Sequence, residues 1–359
     1  MANQPGRWTI NDVTTIYTQP FNDLLFAAHT THLLHHAANT LQMATLLSIK
    51  TGACPEDCGY CSQSGHHKTH VEKENLLSID DVLASAKAAK EGGATRFCMG
   101  AAWRSPPTRA MDELTAMIAG VKEMGLETCM TLGMLTPEQA TTLKTAGLDF
   151  YNHNIDTSPS YYNKVVTTRS FSDRLETLEN VRKSGMSVCC GGILGLGETR
   201  EDRIEFLHTL ANLEEPPESV PINRLIPVAG TPLGSAKQVE GIELVRTIAT
   251  ARILMPKSAV RLTAGRTEMS DELQALCFFA GANSVFIGDK LLTEENPQRE
   301  KDRILFEKLG LHAATGLSGS ATAHQPSSLP LVREAGAECV TSGCGRAEVG
   351  SSLPIGGEG

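Results

Sequence analysis

The sequence predicts a (β/α)8 TIM-type barrel, an α/β fold, with an N-terminal helical cap over residues 1–45, the barrel over 46–311 and a disordered C-terminal tail over 312–359. Three observations carry that prediction. Strand-like and helix-like stretches alternate eight times; Gly, Pro and capping residues punctuate the exchanges; and 359 residues hold one α/β barrel of about 250 residues with extensions. Sustained alternation gives a parallel sheet, and eight pairs close it, which places an active site at the C-terminal strand ends.

The cap holds an amphipathic helix around Asp23–Ala38. Its His29, His32, His35 and His36 have a spacing that suits a metal, yet read more simply as a solvated face. Leu47–Thr51 is the first strand. After a cysteine loop, Ser78 is a helix N-cap, Ile79, Val82, Leu83 and Ala86 follow at i, i+3, i+4, i+7, and Gly92-Gly93 ends the helix. Thr95–Gly100 is the second strand, and its helix carries Met111, Leu114, Ile118 and Val121. Leu126–Leu132 is the third; Thr136-Pro137 opens the next helix as N-cap and N1, and Gly147 closes it. The remaining strands fall at 148–155, 186–191, 219–226, 258–264 and 284–288, and the helices at 172–184, 199–213, 239–254, 270–280 and 302–309. From His312 onward Ala, Gly, Ser, Thr and Pro prevail without periodicity, the composition of a mobile low-complexity tail, in which Cys339 and Cys344 read as exposed thiols.

A formal charge of -9 and a pI near 5.7 argue against a nucleic-acid partner, which needs clustered Lys and Arg. No apolar run approaches the roughly 20 residues of a membrane span, and no apolar core marks a secretory leader, so a cytoplasmic location is expected. Ten cysteines without a secretory signal point to metal or redox use.

Cys54, Cys58 and Cys61 form C-x3-C-x2-C. Three thiolates on one short loop hold three corners of an iron–sulfur cube and leave the fourth iron open. A closed zinc site wants four ligands, and no fourth Cys or His stands at knuckle spacing, although His66, His67 and His70 come near. Cys98, Cys129 and Cys189 lie on the second, third and fifth strands, where each taken singly is a buried small residue. Strand alternation sends Cys189 and Cys190 to opposite faces and leaves open which one meets the barrel axis. Arg261, on the seventh strand, suits a carboxylate or phosphate. Asn152, Asn154 and Asp156 share one face of the fourth strand, or cap the loop after it. Gly191 to Glu198 fits G-x-I-x-G-x-x-E, a glycine-rich turn.

The cysteine loop, with Tyr60 as its aromatic, resembles the signature of the radical S-adenosylmethionine (SAM) enzymes. The text Ser-Ile-Lys-Thr-Gly-Ala-Cys-Pro-Glu-Asp-Cys is similar to the biotin synthases in particular, a likeness running from about Trp8 to Leu311. The resemblance implies a [4Fe-4S] cluster on Cys54, Cys58 and Cys61 that binds and reductively cleaves SAM. It also implies a [2Fe-2S] cluster on Cys98, Cys129, Cys189 and Arg261 that donates sulfur to dethiobiotin, giving biotin after two hydrogen abstractions by a 5′-deoxyadenosyl radical. By the same resemblance Asn154 and Asp156 meet the SAM ribose, Ile193 the adenine and the Met99–Trp103 segment the methionyl group, so Tyr60, Ala101 and Trp103 join the cofactor contacts. Asn152 and Asn223 then face dethiobiotin. A flavodoxin-type electron donor and a homodimer are implied as well. Ser62 departs from a frequent Pro of the family and Ala44 from an occasional Ser, and neither touches a ligand position. Two rivals stand beside this reading: another barrel-type radical SAM enzyme such as a cofactor maturase, which need not keep the four strand ligands, and a non-enzymatic iron–sulfur electron carrier, which has no use for SAM.

Overall fold

The computed structural model describes residues 7–314, so nearly all of the expected tail, with Cys339 and Cys344, lies outside the described residues. Nine parallel strands build the barrel: β1 (Thr40–Lys50), β2 (Arg96–Ala101), β3 (Glu127–Thr131), β4 (Phe150–Asn152), β5 (Ser187–Cys189), β6 (Gly192–Leu194), β7 (Ser219–Arg224), β8 (Ala259–Leu262) and β9 (Ser284–Phe286). Pairing runs in chain order from β1 to β9, and β9 pairs back onto β1, which closes the sheet. β5 and β6 are two halves of the expected fifth strand. Both pair with β7 in one register, Cys189 with Ser219 and Gly192 with Ile222. Pro221 of β7 lacks the N–H that would continue the ladder between them.

Two cap helices, α1 (Ile10–Tyr17) and α2 (Phe21–His35), precede the barrel, and α3 to α10 follow its strands: Ile79–Glu91, Met111–Glu123, Pro137–Thr145, Phe171–Lys183, Arg200–Ala211, Gly241–Leu254, Asp271–Phe279 and Arg299–Leu309. The expected N-caps Ser78 and Thr136 are used as such, and Ser170, Thr199 and Ser270 act in the same way. Ser78 accepts from Asp81 N–H and Ser270 from Leu273 N–H, while Thr136, Ser170 and Thr199 form capping boxes with Gln139, Asp173 and Asp202. The apolar helix faces pack against the outer face of the sheet, with Val82, Leu114, Ile118, Leu143, Val181 and Ile248 fully buried. Inside the barrel, Ala44, Cys98, Cys129, Phe150, Cys189, Phe286 and Leu291 form a separate cluster.

Several boundaries differ from the sequence expectation. The cap ends at residue 39, because Thr40–Leu46 joins β1, where Gln42–Ala44 pair with β9 and Ala44–Leu46 with β2. Its residues, Thr-Leu-Gln-Met-Ala-Thr-Leu, show no strict alternation of apolar and polar side chains to read. Helix α1 was not anticipated, although Thr9 caps it in a box with Asp12. His312 and Ala313 pair with Thr40 and Leu41, so the fold runs slightly past the expected barrel end.

Of the four histidines expected on a solvated face, His35 is exposed and the other three are packed. His32 is buried, His29 stacks on Phe279 with 4.2 Å between ring centroids, and His36 Nε2 lies 2.7 Å from Arg252 Nη1. Burial, followed by the charge of Arg252, holds His32 down at about 3 and His36 at about 4. His36 also meets Pro256 O and Asn283, which precede β8 and β9, so α2 covers the strand-start end of the barrel.

Candidate active site

A cavity of about 350 Å³ occupies the opposite, C-terminal end of the strands. Its wall contains the residues that the resemblance points to as cluster, SAM or dethiobiotin contacts: Cys54, Cys58, Tyr60 and Cys61 from the loop after β1; Cys98, Ala101 and Trp103 from β2 and its exit; Cys129 from β3; Asn152, Asn154 and Asp156 from β4 and its exit; Cys189, Ile193, Asn223 and Arg261 from β5 to β8.

The loop closes on itself through backbone hydrogen bonds. Cys54 N–H donates to Gln63 O at 2.9 Å, Gly65 N–H to Cys54 O at 2.7 Å and Cys61 N–H to Cys58 O at 3.0 Å. Its two acids tie it to the segment before α6. Asp57 accepts from the N–H groups of Thr167 and Thr168, and buried Glu56 accepts from Arg104 Nη1 at 2.8 Å and from Thr168 Oγ1. Burial pushes all three thiols above the ordinary thiol value, Cys61 up to about 12. These sulfurs become thiolates when a metal centre displaces their protons.

The inner thiols are set by strand register. Cys98 is opposite Cys129, Asn152 opposite Cys189 and Pro221 opposite Arg261. Cys189 is the member of its pair that faces the axis, and Cys190 sits in the outer core. Cys129 lies within hydrogen-bonding reach of both neighbouring sulfurs and has one S–H to offer them. That hydrogen bond, helped by the Arg261 and Arg96 charges, draws Cys98 below the ordinary thiol value and Cys189 to about 5, while Cys129 itself is raised. Arg261 Nε donates to Ser284 Oγ at 2.8 Å and Nη2 to Gln42 Oε1 at 3.1 Å, and its guanidinium lies over Phe286. Three buried thiols with a buried guanidinium on the same cavity wall form a donor set suited to a small iron–sulfur cluster, and the three loop thiols suit a larger one. Among the described residues no group of three His, Cys, Asp or Glu side chains is arranged to hold a single metal ion.

Between the two sets lie the polar groups of β4. Asn152 Nδ2 is 3.2 Å from Cys189 Sγ, and Asn154 Oδ1 accepts from Gly191 N–H at 3.0 Å. Asp156 takes a left-handed φ of 67° and pairs with Arg174. Gly192 is required beside it, because a Cβ there would stand 2.5 Å from Asp156 O. Asn223 accepts from Thr263 Oγ1 at 2.6 Å and donates to Gly192 O at 2.9 Å. Glu198, the acid of the glycine-rich motif, stays outside the cavity and braces the turn by accepting from Gly195 N–H at 3.0 Å.

Sequence reading missed Glu56, Arg169, Arg174, Thr293 and Glu294, which line the same cavity. Arg174 had a signal: it shares the buried stripe of α6 with Thr177, Leu178 and Val181, a cation where an apolar residue belongs. Thr293 and Glu294 belong to a hairpin of β10 (Lys290–Leu291) and β11 (Glu294–Glu295), and both contact Ser62, the position that departs from the family pattern.

Residues 48–210 match the model of the Radical SAM superfamily, and residues 221–312 that of the Biotin and Thiamin Synthesis associated domain. The biotin synthase of Legionella pneumophila (strain Paris) is 77% identical over 311 residues, covering 87% of this chain and 99% of its own. That of Thioalkalivibrio sulfidiphilus is 62% identical over 305 residues, covering 85% and 90%. Among solved structures, methylornithine synthase superposes with a TM-score of 0.72 at 19% identity over 86% of this chain and 95% of its own. The [FeFe]-hydrogenase maturase of Carboxydothermus hydrogenoformans gives 0.73 at 17% identity over 87% and 77%. At those identities the two structures speak for the barrel alone. With two family models on successive parts of the barrel and relatives aligned along most of its length, the chain belongs to the biotin synthase family of radical SAM enzymes.

Proposed function

We propose that this protein makes biotin from dethiobiotin by radical SAM chemistry, with Cys54, Cys58 and Cys61 holding a [4Fe-4S] cluster and Cys98, Cys129, Cys189 and Arg261 a [2Fe-2S] cluster. The observation that carries the reading is that both thiol sets open onto one cavity, with the amide and carboxylate groups of β4 between them. When bound, the larger cluster supplies the electron that splits the SAM sulfonium and so the radical that attacks an unactivated C–H bond, and the smaller one supplies sulfide.

The residues of the chain position and shield. Arg174 holds the Asp156 carboxylate buried at the strand end, where it meets a ribose diol, and Asn154 stands beside it. Ile193 offers an apolar face to the adenine, with Tyr60, Ala101 and Trp103 around the methionyl end. Asn152 reaches from the substrate side to Cys189 Sγ, which sets the sulfur-bearing end of the cavity against dethiobiotin. Asn223, fixed by Thr263, presents its amide to the cyclic urea. Barrel walls on every other side exclude water from the radical. A flavodoxin-type donor, a homodimer and a cytoplasmic setting belong to the same reading. Among the described residues no helix is long and apolar enough to cross a membrane.

The test is an anaerobic reaction of reconstituted protein with SAM, dethiobiotin and reduced flavodoxin. Biotin and 5′-deoxyadenosine appear together. 5′-Deoxyadenosine without biotin, from protein holding both clusters, contradicts the assigned substrate.

A further inference from the structure

Arg169 reaches the cluster loop from the segment that the loop's own acids hold. Its Nη2 lies 3.8 Å from Cys58 Sγ, and its Nε lies 3.7 Å from Glu56 Oε2, so one guanidinium spans a cluster-loop sulfur and a cluster-loop carboxylate. The side chain is 8% exposed and lines the cavity. The approach is fixed from several sides. Thr168 donates its hydroxyl to Glu56, Asp57 accepts from two backbone N–H groups of the same segment, and Gly59 N–H donates to Val165 O at 2.8 Å. Arg104 takes the other oxygen of Glu56 and also donates to Thr168 O at 2.7 Å. These contacts fix the segment that carries Arg169 against the loop.

We infer that Arg169 is a positioning residue that sets the reduction potential of the [4Fe-4S] cluster through its contact with Cys58. The inference rests on the assignment of Cys54, Cys58 and Cys61 as ligands of that cluster. Reduction adds negative charge that spreads onto the ligand sulfurs. A guanidinium donating to one of them in a low-dielectric wall stabilises the reduced form more than the oxidised one and raises the potential. The planar fork matters as well: Arg meets Glu56 and Cys58 at once, whereas the point charge of Lys meets one of them.

The test is a redox titration, followed by electron paramagnetic resonance, of the full chain reconstituted without SAM, comparing wild type with Arg169→Gln and Arg169→Lys at equal iron content. The midpoint moves to more negative potential in both variants, further in Arg169→Gln than in Arg169→Lys, and the fraction of cluster reduced at a fixed donor potential falls in the same order. A wild-type midpoint, or a more positive one, in the variants overturns the inference. If Arg169→Gln does not retain its cluster, Arg169→Lys decides alone, because a wild-type midpoint there removes the role of the fork. Failure of the underlying assignment has a different signature: the wild-type protein itself then gives no four-iron signal.

Discussion

Cys54, Cys58 and Cys61 come from one short loop, whereas Cys98, Cys129 and Cys189 come from three strands and meet only through register. Their surroundings differ as much as their origins. The loop thiols are all pushed up by burial, with Arg169 near Cys58, while Cys98 and Cys189 are drawn down between Cys129 and two arginines. Burial thus dominates at the loop thiols, whereas at Cys98 and Cys189 a neighbouring thiol and two arginines oppose it. Damage to the first stays local. Damage to the second engages the core of the barrel.

The largest effect separates the two sites at the first chemical step. Cys58→Ala abolishes SAM cleavage, so 5′-deoxyadenosine falls to background in the anaerobic assay while thermal stability of the metal-free chain changes little. Cys189→Ala inverts the pattern, losing biotin and keeping 5′-deoxyadenosine, because the loop site survives. Equal loss of both products in Cys189→Ala breaks the distinction between the sites. A smaller effect is expected of Asn223→Ala, which removes one hydrogen bond of about 0.5–1.5 kcal/mol and raises the KM for dethiobiotin roughly 2- to 10-fold without moving that for SAM. Matched shifts in both KM values would place Asn223 in the scaffold alone.

The smallest effect lies at the far end of the barrel and serves as a control. His32 and His36 have folded values of about 3 and about 4 against 6.5 in the unfolded chain. Between those values the unfolded chain binds more protons, so stability is full above 6.5 and declines as pH falls toward 4, by at most about 1.4 kcal/mol per pH unit for each histidine. His36→Gln flattens the dependence of the urea midpoint on pH across that window and leaves both products of the assay unchanged. A profile identical to wild type would show that His36 is already protonated in the fold.

Legibility in the sequence follows the same division. The loop could be read because its ligands are contiguous and the helix caps at Ser78 and Thr136 are local signals. The inner set could be placed on strands, but strand alternation alone left Cys189 and Cys190 open; the resemblance pointed to Cys189, and the structure packs it with Cys98 and Cys129 inside the barrel. Residues 40–45 show no alternation that marks them as strand rather than cap, and His29, His32 and His36 look like a solvated face in sequence because Arg252 and Phe279, far along the chain, are what cover them. Arg169 and Glu56 carry no local pattern at all. Their meeting at Cys58 is a product of the turn that returns the chain from β4 to the loop.

The most direct measurement is an iron and sulfide count with Mössbauer spectra on anaerobically reconstituted Cys58→Ala and Cys129→Ala proteins. Two independent sites require that Cys58→Ala keep a two-iron signal and lose the four-iron one, and that Cys129→Ala do the reverse. Loss of both signals in either variant, or of neither, would contradict the division of the six thiols into two separate cluster sites.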